Sequence, residues 1–97
     1  MNTLALEQEP VAIGLKLTED YFMVELADGR TLSIPLAWYP RLSHATKEER
    51  ANWDFLGDGY AIEWPDLDEH IGIEGLLAGR RSGESEKSFQ KWLASRA

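Results

Sequence analysis

Hydrophobic and polar residues alternate along residues 11–35 with the period of β-strands. Apolar side chains occupy positions 11, 13, 15 and 17, which predicts a half-buried strand over 11–17. A second strand is predicted over 20–27, where Tyr21 to Leu26 mix aromatic and β-branched residues, and the Asp28-Gly29 pair after it tolerates the positive φ angles of a tight hairpin turn. Residues 30–35 alternate again and stop at Pro35, which cannot donate a ladder hydrogen bond. The pattern predicts a three-stranded antiparallel meander.

The middle of the chain predicts one helix and one further strand. Thr46 and Glu49 have the spacing of a capping box, which indicates a short helix over about 46–53. Glycines at 57 and 59 then indicate a tight turn; they resemble a phosphate-binding loop only superficially, because no lysine or helix N-terminus follows them. Residues 59–64 alternate once more before Pro65, so we expect a fourth strand there.

Two more helices are predicted in the last third of the chain. Apolar residues recur at helical spacing over about 72–78, and Gly79 lies where the C′ glycine of a helix is expected. Over about 84–95, Phe89 and Trp92 share one face of a terminal helix whose acids come first and whose bases come last. The predicted fold class is α+β.

The length and charge of the chain suggest one domain with a distinct end. Ninety-seven residues, of which 43% are hydrophobic, supply a single core. We expect an α+β domain over 1–79 and a basic helical extension over 80–97 that packs on the domain or on a partner subunit. The net charge is −7, which repels nucleic acid on average and attracts a basic protein surface. Residues 79–97, however, hold five bases against two acids.

The absence of cysteine excludes several kinds of chemistry. The chain has no disulfide, thiolate metal site, thiol nucleophile or iron–sulfur cluster. Residues 1–10 lack the charged-then-apolar order of a signal peptide, and no apolar run has the length of a membrane span. We therefore expect a soluble, cytoplasmic protein without a membrane partner.

Three blocks of sequence together resemble a known family. The blocks are Pro40-Arg41-Leu42 with Ala45-Thr46 and Glu48-Glu49-Arg50, then Trp53 to Leu77 with Trp64-Pro65-x-Leu67-Asp68 at its centre, and finally Ser88-Phe89-x-Lys91-Trp92-Leu93. They span most of the chain and are similar to the motifs of a bacterial family called domain of unknown function 2442. The central block is the most specific of the three.

The resemblance implies a compact α+β domain built on a β-meander, and it implies no known activity. Many members of the family are similar to one half of a toxin–antitoxin pair, because they are encoded beside another small protein. The resemblance therefore implies a protein partner from an adjacent gene, with this chain as the antitoxin-like member. Some longer relatives append a helix-turn-helix domain, which we do not expect within this sequence.

The strongest candidate for a binding surface follows the fourth predicted strand. A tryptophan beside a rigid proline and several acids can form the edge of an interaction hot spot. The competing interpretation buries Trp64 as the packed end of a strand, and both interpretations stay open. The predicted partner-binding residues are Trp64, Asp66, Asp68 and Glu69.

Metal binding and catalysis have weaker support. Asp66, Asp68 and His70 are suitable ligands by residue type, but their spacing fits no calcium loop or helical zinc motif. A capped turn with solvent-facing side chains is the favoured interpretation. The remaining histidine, His44, has no accompanying motif for a nucleophile, and we favour a solvated position. We expect no cofactor, no bound metal and no enzymatic activity, and keep an uncharacterised metal-binding or enzymatic domain as the last alternative.

The basic end of the chain suggests a second hypothesis, which is nucleic-acid binding or transcription regulation. The candidate phosphate contacts are Arg80, Arg81, Lys87, Lys91 and Arg96. Trp92 would then stack on a base, whereas the favoured interpretation packs Phe89, Trp92 and Leu93 on the sheet or on another subunit. A homodimer is also compatible with the strand edges of so small a domain. We rank partner binding first and nucleic acid second.

Overall fold

The computed structural model describes residues 10–96, and its first sheet is the predicted meander. The strands are β1 (Ala12–Leu17), β2 (Tyr21–Leu26) and β3 (Thr31–Pro35), in that spatial order and antiparallel throughout. Phe22 and Val24 of β2 are fully buried, whereas Met23 between them and Glu25 after them lie on the other face. The alternation in the sequence thus confirms the meander and identifies its core face.

A helical connection leaves β3. It consists of a 3₁₀ turn (Leu36–Trp38), α1 (Pro40–Ser43) and α2 (Lys47–Ala51). The capping box is present: the Glu49 N–H donates to Thr46 Oγ1 over 3.1 Å, and the Thr46 N–H donates to Glu49 Oε1 over 2.8 Å. The helix is shorter than predicted, because Asn52 leaves helical geometry with φ −94° and ψ 83°.

The second sheet is larger than the sequence predicts. It contains β4 (Asp54–Leu56), β5 (Ala61–Trp64) and β6 (Glu69–Gly72), in the order β4-β5-β6 and antiparallel. The predicted fourth strand is β5, and its two neighbours are additional. β4 has only three residues and β6 has a single buried apolar side chain, so neither shows a strand pattern of its own. Both form because β5 supplies the hydrogen-bonding partner.

The turn between β4 and β5 contains two glycines and contacts the first sheet. Gly59 has φ 108°, and its carbonyl accepts a hydrogen bond of 2.7 Å from the Ala12 N–H at the start of β1. A Cβ atom at Gly59 would lie 2.3 Å from the Ala12 carbonyl oxygen, so no other residue fits without displacing the backbone. Gly57 has φ 58°, and a Cβ atom there would lie 2.8 Å from the Tyr60 ring, so backbone conformation and packing explain both glycines of this turn.

The chain ends in two helices that match the predicted ones to within two residues. A 3₁₀ turn (Pro65–Leu67) leads into β6, α3 (Ile73–Leu77) follows it, and α4 (Glu86–Ala94) is terminal. Ser85 caps α4, since its Oγ accepts a hydrogen bond of 3.1 Å from the Ser88 N–H. The α+β fold class is confirmed.

An aromatic row runs through the core. Trp64, Phe22 and Tyr39 meet edge to face, with ring centroids 5.8 Å and 5.9 Å apart. Trp64 is completely buried, and its Nε1–H donates to the Arg50 carbonyl over 3.0 Å. The structure therefore corrects the sequence-based placement of Trp64 at a binding edge, because a side chain with both its ring and its polar atom satisfied inside the core presents nothing to a partner.

The terminal helix lies against its own chain. Phe89 is 8% exposed and meets His44 edge to face at 5.1 Å. At the far end of α4, the Arg96 Nη2 forms an ion pair of 2.7 Å with the Glu49 Oε1. Glu49 therefore serves both the capping box of α2 and the attachment of α4.

Candidate functional site

The most distinctive polar feature of the molecule is an acidic cleft between the start of β6 and the segment before α4. The cleft has a volume of about 270 Å³. Its charged lining residues are Arg41, Asp68, Glu69 and Glu84, and Ser82, Gly83 and Ser88 complete it. Three carboxylates thus share one depression with a single guanidinium.

Each nitrogen of the Arg41 guanidinium donates a hydrogen bond within the chain. Its Nε donates to Glu84 Oε1 and Oε2 over 3.0 Å and 3.1 Å, and its Nη2 donates to Oε2 over 2.6 Å. Its Nη1 donates to the Leu67 carbonyl over 2.8 Å. Both partners of the pair are mostly buried, and the fork geometry is that of a strong Arg–carboxylate contact. Arg41 therefore fastens the start of the terminal segment to α1 and to the turn before β6.

Glu84 is the satisfied carboxylate of the cleft. Besides the Arg41 contacts, it accepts a hydrogen bond of 2.7 Å from Ser88 Oγ. Hydrogen bonding from Arg41 holds the pKa of the Glu84 carboxyl below its ordinary value. Glu84 is thus a stable negative charge close to the other two acids.

Glu69 is a half-buried carboxylate of the cleft whose oxygens stay accessible to solvent. No side chain or backbone group of residues 10–96 donates a hydrogen bond to it, and the hydrogen bonds of Arg41 go to Glu84 and to the Leu67 carbonyl. Burial raises the pKa of Glu69 to about 7; Arg41 opposes the rise, and the charges of Glu84 and Asp68 add to it. Near neutral pH, the side chain is therefore divided between its charged and neutral forms.

Tyr39 lines the groove next to the cleft, which it shares with Glu69. Its hydroxyl donates to the Arg80 carbonyl over 2.8 Å, and its pKa is raised by burial and by the negative charge of Glu69. This hydrogen bond fixes the backbone of the segment that lies opposite β6.

The predicted acidic residues are only partly brought together. Asp68 and Glu69 both line the cleft, and Asp68 adopts the left-handed conformation, with φ 52° and ψ 44°, that turns the chain into β6. Asp66 points elsewhere and accepts a hydrogen bond of 2.9 Å from Asn52 Nδ2. Arg41 and Glu84 were not among the predicted site residues, since 43 positions separate them along the chain.

The predicted basic residues are dispersed. The Arg81 guanidinium carbon lies 4.4 Å from the ring centroid of Trp38, and that of Arg96 lies 4.5 Å from the ring centroid of Trp92. Arg96 is also paired with Glu49. The remaining three residues, Arg80, Lys87 and Lys91, are exposed.

The candidate metal ligands Asp66, Asp68 and His70 do not converge, since Asp66 bonds Asn52 outside the cleft and His70 lies exposed on β6. The other histidine, His44, has its Nδ1 3.0 Å from the Pro40 carbonyl oxygen. Within residues 10–96, no three histidine or acidic side chains are arranged to hold a metal ion. In the same part of the chain, no helix combines the length and apolar character needed to cross a bilayer.

The comparisons with known proteins agree with the fold. Residues 12–82 match the family model described as protein of unknown function (DUF2442), so the chain belongs to that family and the resemblance in its sequence is confirmed. A crystal structure of a protein of unknown function from Rhodospirillum rubrum is similar, with a TM-score of 0.69 and 26% identity over 79% of this chain and 95% of that one.

A second solved structure shows the same fold. It is the solution structure of the uncharacterized protein CV0863 from Chromobacterium violaceum, which has a TM-score of 0.64 and 24% identity over 89% of this chain and 75% of that chain. No curated protein matches the sequence. The comparisons thus establish family and fold, and they carry no activity.

Proposed function

We propose that this chain is a non-enzymatic protein-interaction module whose acidic cleft accepts a basic side chain from a partner protein. The observation that carries the proposal is Glu69, a half-buried carboxylate that receives no hydrogen bond from residues 10–96. An ammonium or guanidinium group placed in the cleft would supply the missing donors and keep Glu69 charged. The net charge of −7 favours the approach of such a partner.

The partner we propose is the product of an adjacent gene, with this chain as the antitoxin-like member of the pair in the cytoplasm. The family resemblance supports this choice, and the charge of the cleft indicates that the partner surface is basic. Asp68 lies at the mouth of the cleft and is exposed, so it is available for a second contact. Asp66 lies outside the cleft and is not included in the proposed site.

The test is co-expression of the tagged protein with the product of its neighbouring gene, followed by light scattering of the purified complex. We expect a stoichiometric complex that weakens with salt and is weakened further by Glu69→Gln. The matched control is Glu48→Gln, which removes the same charge from an exposed position on α2. A complex equally tolerant of both substitutions, or no complex at low salt, would contradict the proposal.

Nucleic-acid binding is the second candidate, and one observation favours it. Lys87 and Lys91 are four positions apart and both are exposed, so they project from one side of α4. The buried Phe89 lies on the opposite side of the helix. A gel-shift titration with random DNA and RNA tests this candidate. Binding that weakens steeply with salt and is lost in the Lys87→Ala, Lys91→Ala double variant would replace our first choice.

A further inference from the structure

The free edge of β6 offers unpaired backbone groups. Ile73 donates its N–H to the Tyr60 carbonyl over 2.9 Å, which identifies that pair as hydrogen-bonded. In an antiparallel ladder, hydrogen-bonded and non-hydrogen-bonded residue pairs alternate. Ile71 and Glu69 therefore direct their backbone N–H and C=O groups toward β5, whereas His70 directs its groups away from β5. Among residues 10–96, no backbone group binds the His70 N–H, the His70 carbonyl or the Gly72 N–H.

A groove runs along this edge. It has a volume of about 380 Å³, and its lining residues are Tyr39, Glu69 to Gly72, Glu74, Gly75 and Arg80 to Gly83. The groove continues into the acidic cleft at Glu69, Ser82 and Gly83. The β6 edge is therefore one wall of an open channel whose acidic end lies at the start of the strand.

The opposite wall is held in place and does not fill the edge. Residues 80–83 belong to no helix or strand, and their backbone hydrogen bonds go to parts of the chain other than β6. The Arg80 N–H donates to the Gly75 carbonyl over 2.9 Å, and the Ser82 N–H donates to the Trp38 carbonyl over 3.1 Å. The Arg80 carbonyl accepts from the Tyr39 hydroxyl. This wall thus lies across the groove from β6 and makes no backbone hydrogen bond to it within residues 10–96.

From these features, we propose that the groove binds an extended segment of the partner protein, which adds to β6 as a further antiparallel strand. His70 would exchange two hydrogen bonds with the incoming strand and Gly72 would donate one, which is the usual mode of strand addition. Antiparallel pairing is chosen because it is slightly more stable per residue than parallel pairing. The inference rests on the proposed function and names the form in which the partner reaches the cleft.

The side chains of β6 indicate the partner sequence. Glu69 and Ile71 share the inner face of the strand, next to Tyr39, whereas His70 faces out. A residue opposite Ile71 would be apolar, and the residue two positions later would lie beside Glu69 and be basic. The segment is therefore expected to read apolar-x-basic, with any residue at the central position.

The probe is the peptide acetyl-Thr-Val-Thr-Lys-Thr-amide, titrated into ¹⁵N-labelled protein to millimolar concentration. We expect saturable shifts of the His70 and Gly72 amide signals. N-methylation of the central threonine removes one strand hydrogen bond and should weaken binding about fivefold or more. A peptide with glutamate in place of lysine should bind more weakly as well.

A pair of variants tests the edge from the protein side. His70→Pro removes the outward N–H at a position where an edge strand tolerates proline. Because proline has no amide signal, the readout is Gly72, whose shift should be abolished. The matched control His70→Ala should retain the Gly72 shift. Folding of both variants is checked by the dispersion of the remaining amide signals.

Three other results would overturn the proposed strand addition. None of them decides the proposed function, which the co-expression experiment tests separately. Equal binding of the N-methylated peptide, with shifts at Glu69 but not at His70, would show a basic-group site without strand pairing. Unsaturable shifts at millimolar peptide would exclude the edge as a peptide site, while the co-expression experiment still decides partner binding. Shifts that depend on protein concentration without peptide would assign the edge to a second copy of this chain.

Discussion

The acidic cleft and the basic terminal segment, residues 80–96, carry opposite charge. They also differ in how far their charged side chains are paired within the fold. In the terminal segment, Arg96 pairs with Glu49 and lies over Trp92, and Arg81 lies over Trp38. In the cleft, Arg41 satisfies Glu84 and leaves Glu69 without a donor among residues 10–96. Arg81 and Arg96 thus fasten the terminal segment to the domain, whereas Glu69 has no protein donor among residues 10–96 and is open to an external group.

This difference shows why a charge map alone does not locate a binding surface. A charged side chain that is already paired contributes to the fold, and separating it from its partner for an external ligand costs free energy. A carboxylate without a protein donor has no such partner to give up, so an external donor replaces only solvent. By this criterion Glu69 is a better site residue than Arg96, although sequence reasoning treats both as candidates.

The largest effect should come from breaking the attachment of the basic segment. Phe89→Ala removes a buried ring from the contact with His44, and we expect the free energy of unfolding to fall by about 3 kcal/mol. Urea unfolding followed by tryptophan fluorescence measures the change. Lys87→Ala and Lys91→Ala, on the exposed side of the same helix, should stay within about 0.5 kcal/mol of the wild type.

A small effect of Phe89→Ala, comparable with that of the lysine variants, would contradict this assignment. It would mean that α4 separates from the domain before the core unfolds, and the comparison between a structural basic segment and an available acidic cleft would no longer hold. The unfolding slope with urea would then fall as well, because less surface would be exposed in the main transition.

The part of the fold that sequence predicts best is the part stabilised locally. The meander follows from alternation and from the Asp28-Gly29 turn, and α2 follows from the Thr46 and Glu49 capping box. β6 has no such local signal, since three of its four residues are polar or glycine and its strand geometry depends on pairing with β5. Elements that depend on a distant partner cannot be found from a local pattern.

The residues of the cleft were likewise predictable only where they are neighbours in the sequence. Asp68 and Glu69 are adjacent in a conspicuous acidic stretch, and both line the cleft. Trp64 is in the same stretch, but the strand period places it on the inner face of β5, where it is buried. The decisive contact between Arg41 and Glu84 joins two segments that no local pattern relates, so the absence of a donor to Glu69 among residues 10–96 becomes visible only in the folded chain.

A smaller effect is expected at acidic pH, from the ion pair that holds the end of the basic segment. Hydrogen bonding from Arg96, together with the Thr46 N–H, lowers the pKa of Glu49 from 4.5 to about 2. A lowered pKa in the folded state contributes stability above pH 4.5, and this contribution is lost as the pH falls toward 2. Arg96→Gln should therefore reduce the loss of stability across this range.

The measurement is the urea midpoint at a series of acidic pH values, with Lys87→Gln as the matched control for loss of one positive charge from α4. The control should follow the wild type in the shape of its pH profile. Parallel profiles for Arg96→Gln and the wild type would show that the pair contributes nothing to the folded state.

The smallest effect should have the opposite sign and belong to the cleft. The pKa of Glu69 is raised from 4.5 to about 7 by burial, with Glu84 and Asp68 adding to the rise and Arg41 opposing it. A raised carboxyl pKa contributes stability that is fully present below pH 4.5 and is lost as the pH rises through about 7. Glu69→Gln stays neutral, so its stability relative to the wild type should increase over this range, while Glu48→Gln should show no such trend. If Glu69→Gln and Glu48→Gln gave the same profile, Glu69 would be satisfied in solution, and the contrast between an occupied basic segment and an open acidic cleft would lose its principal residue.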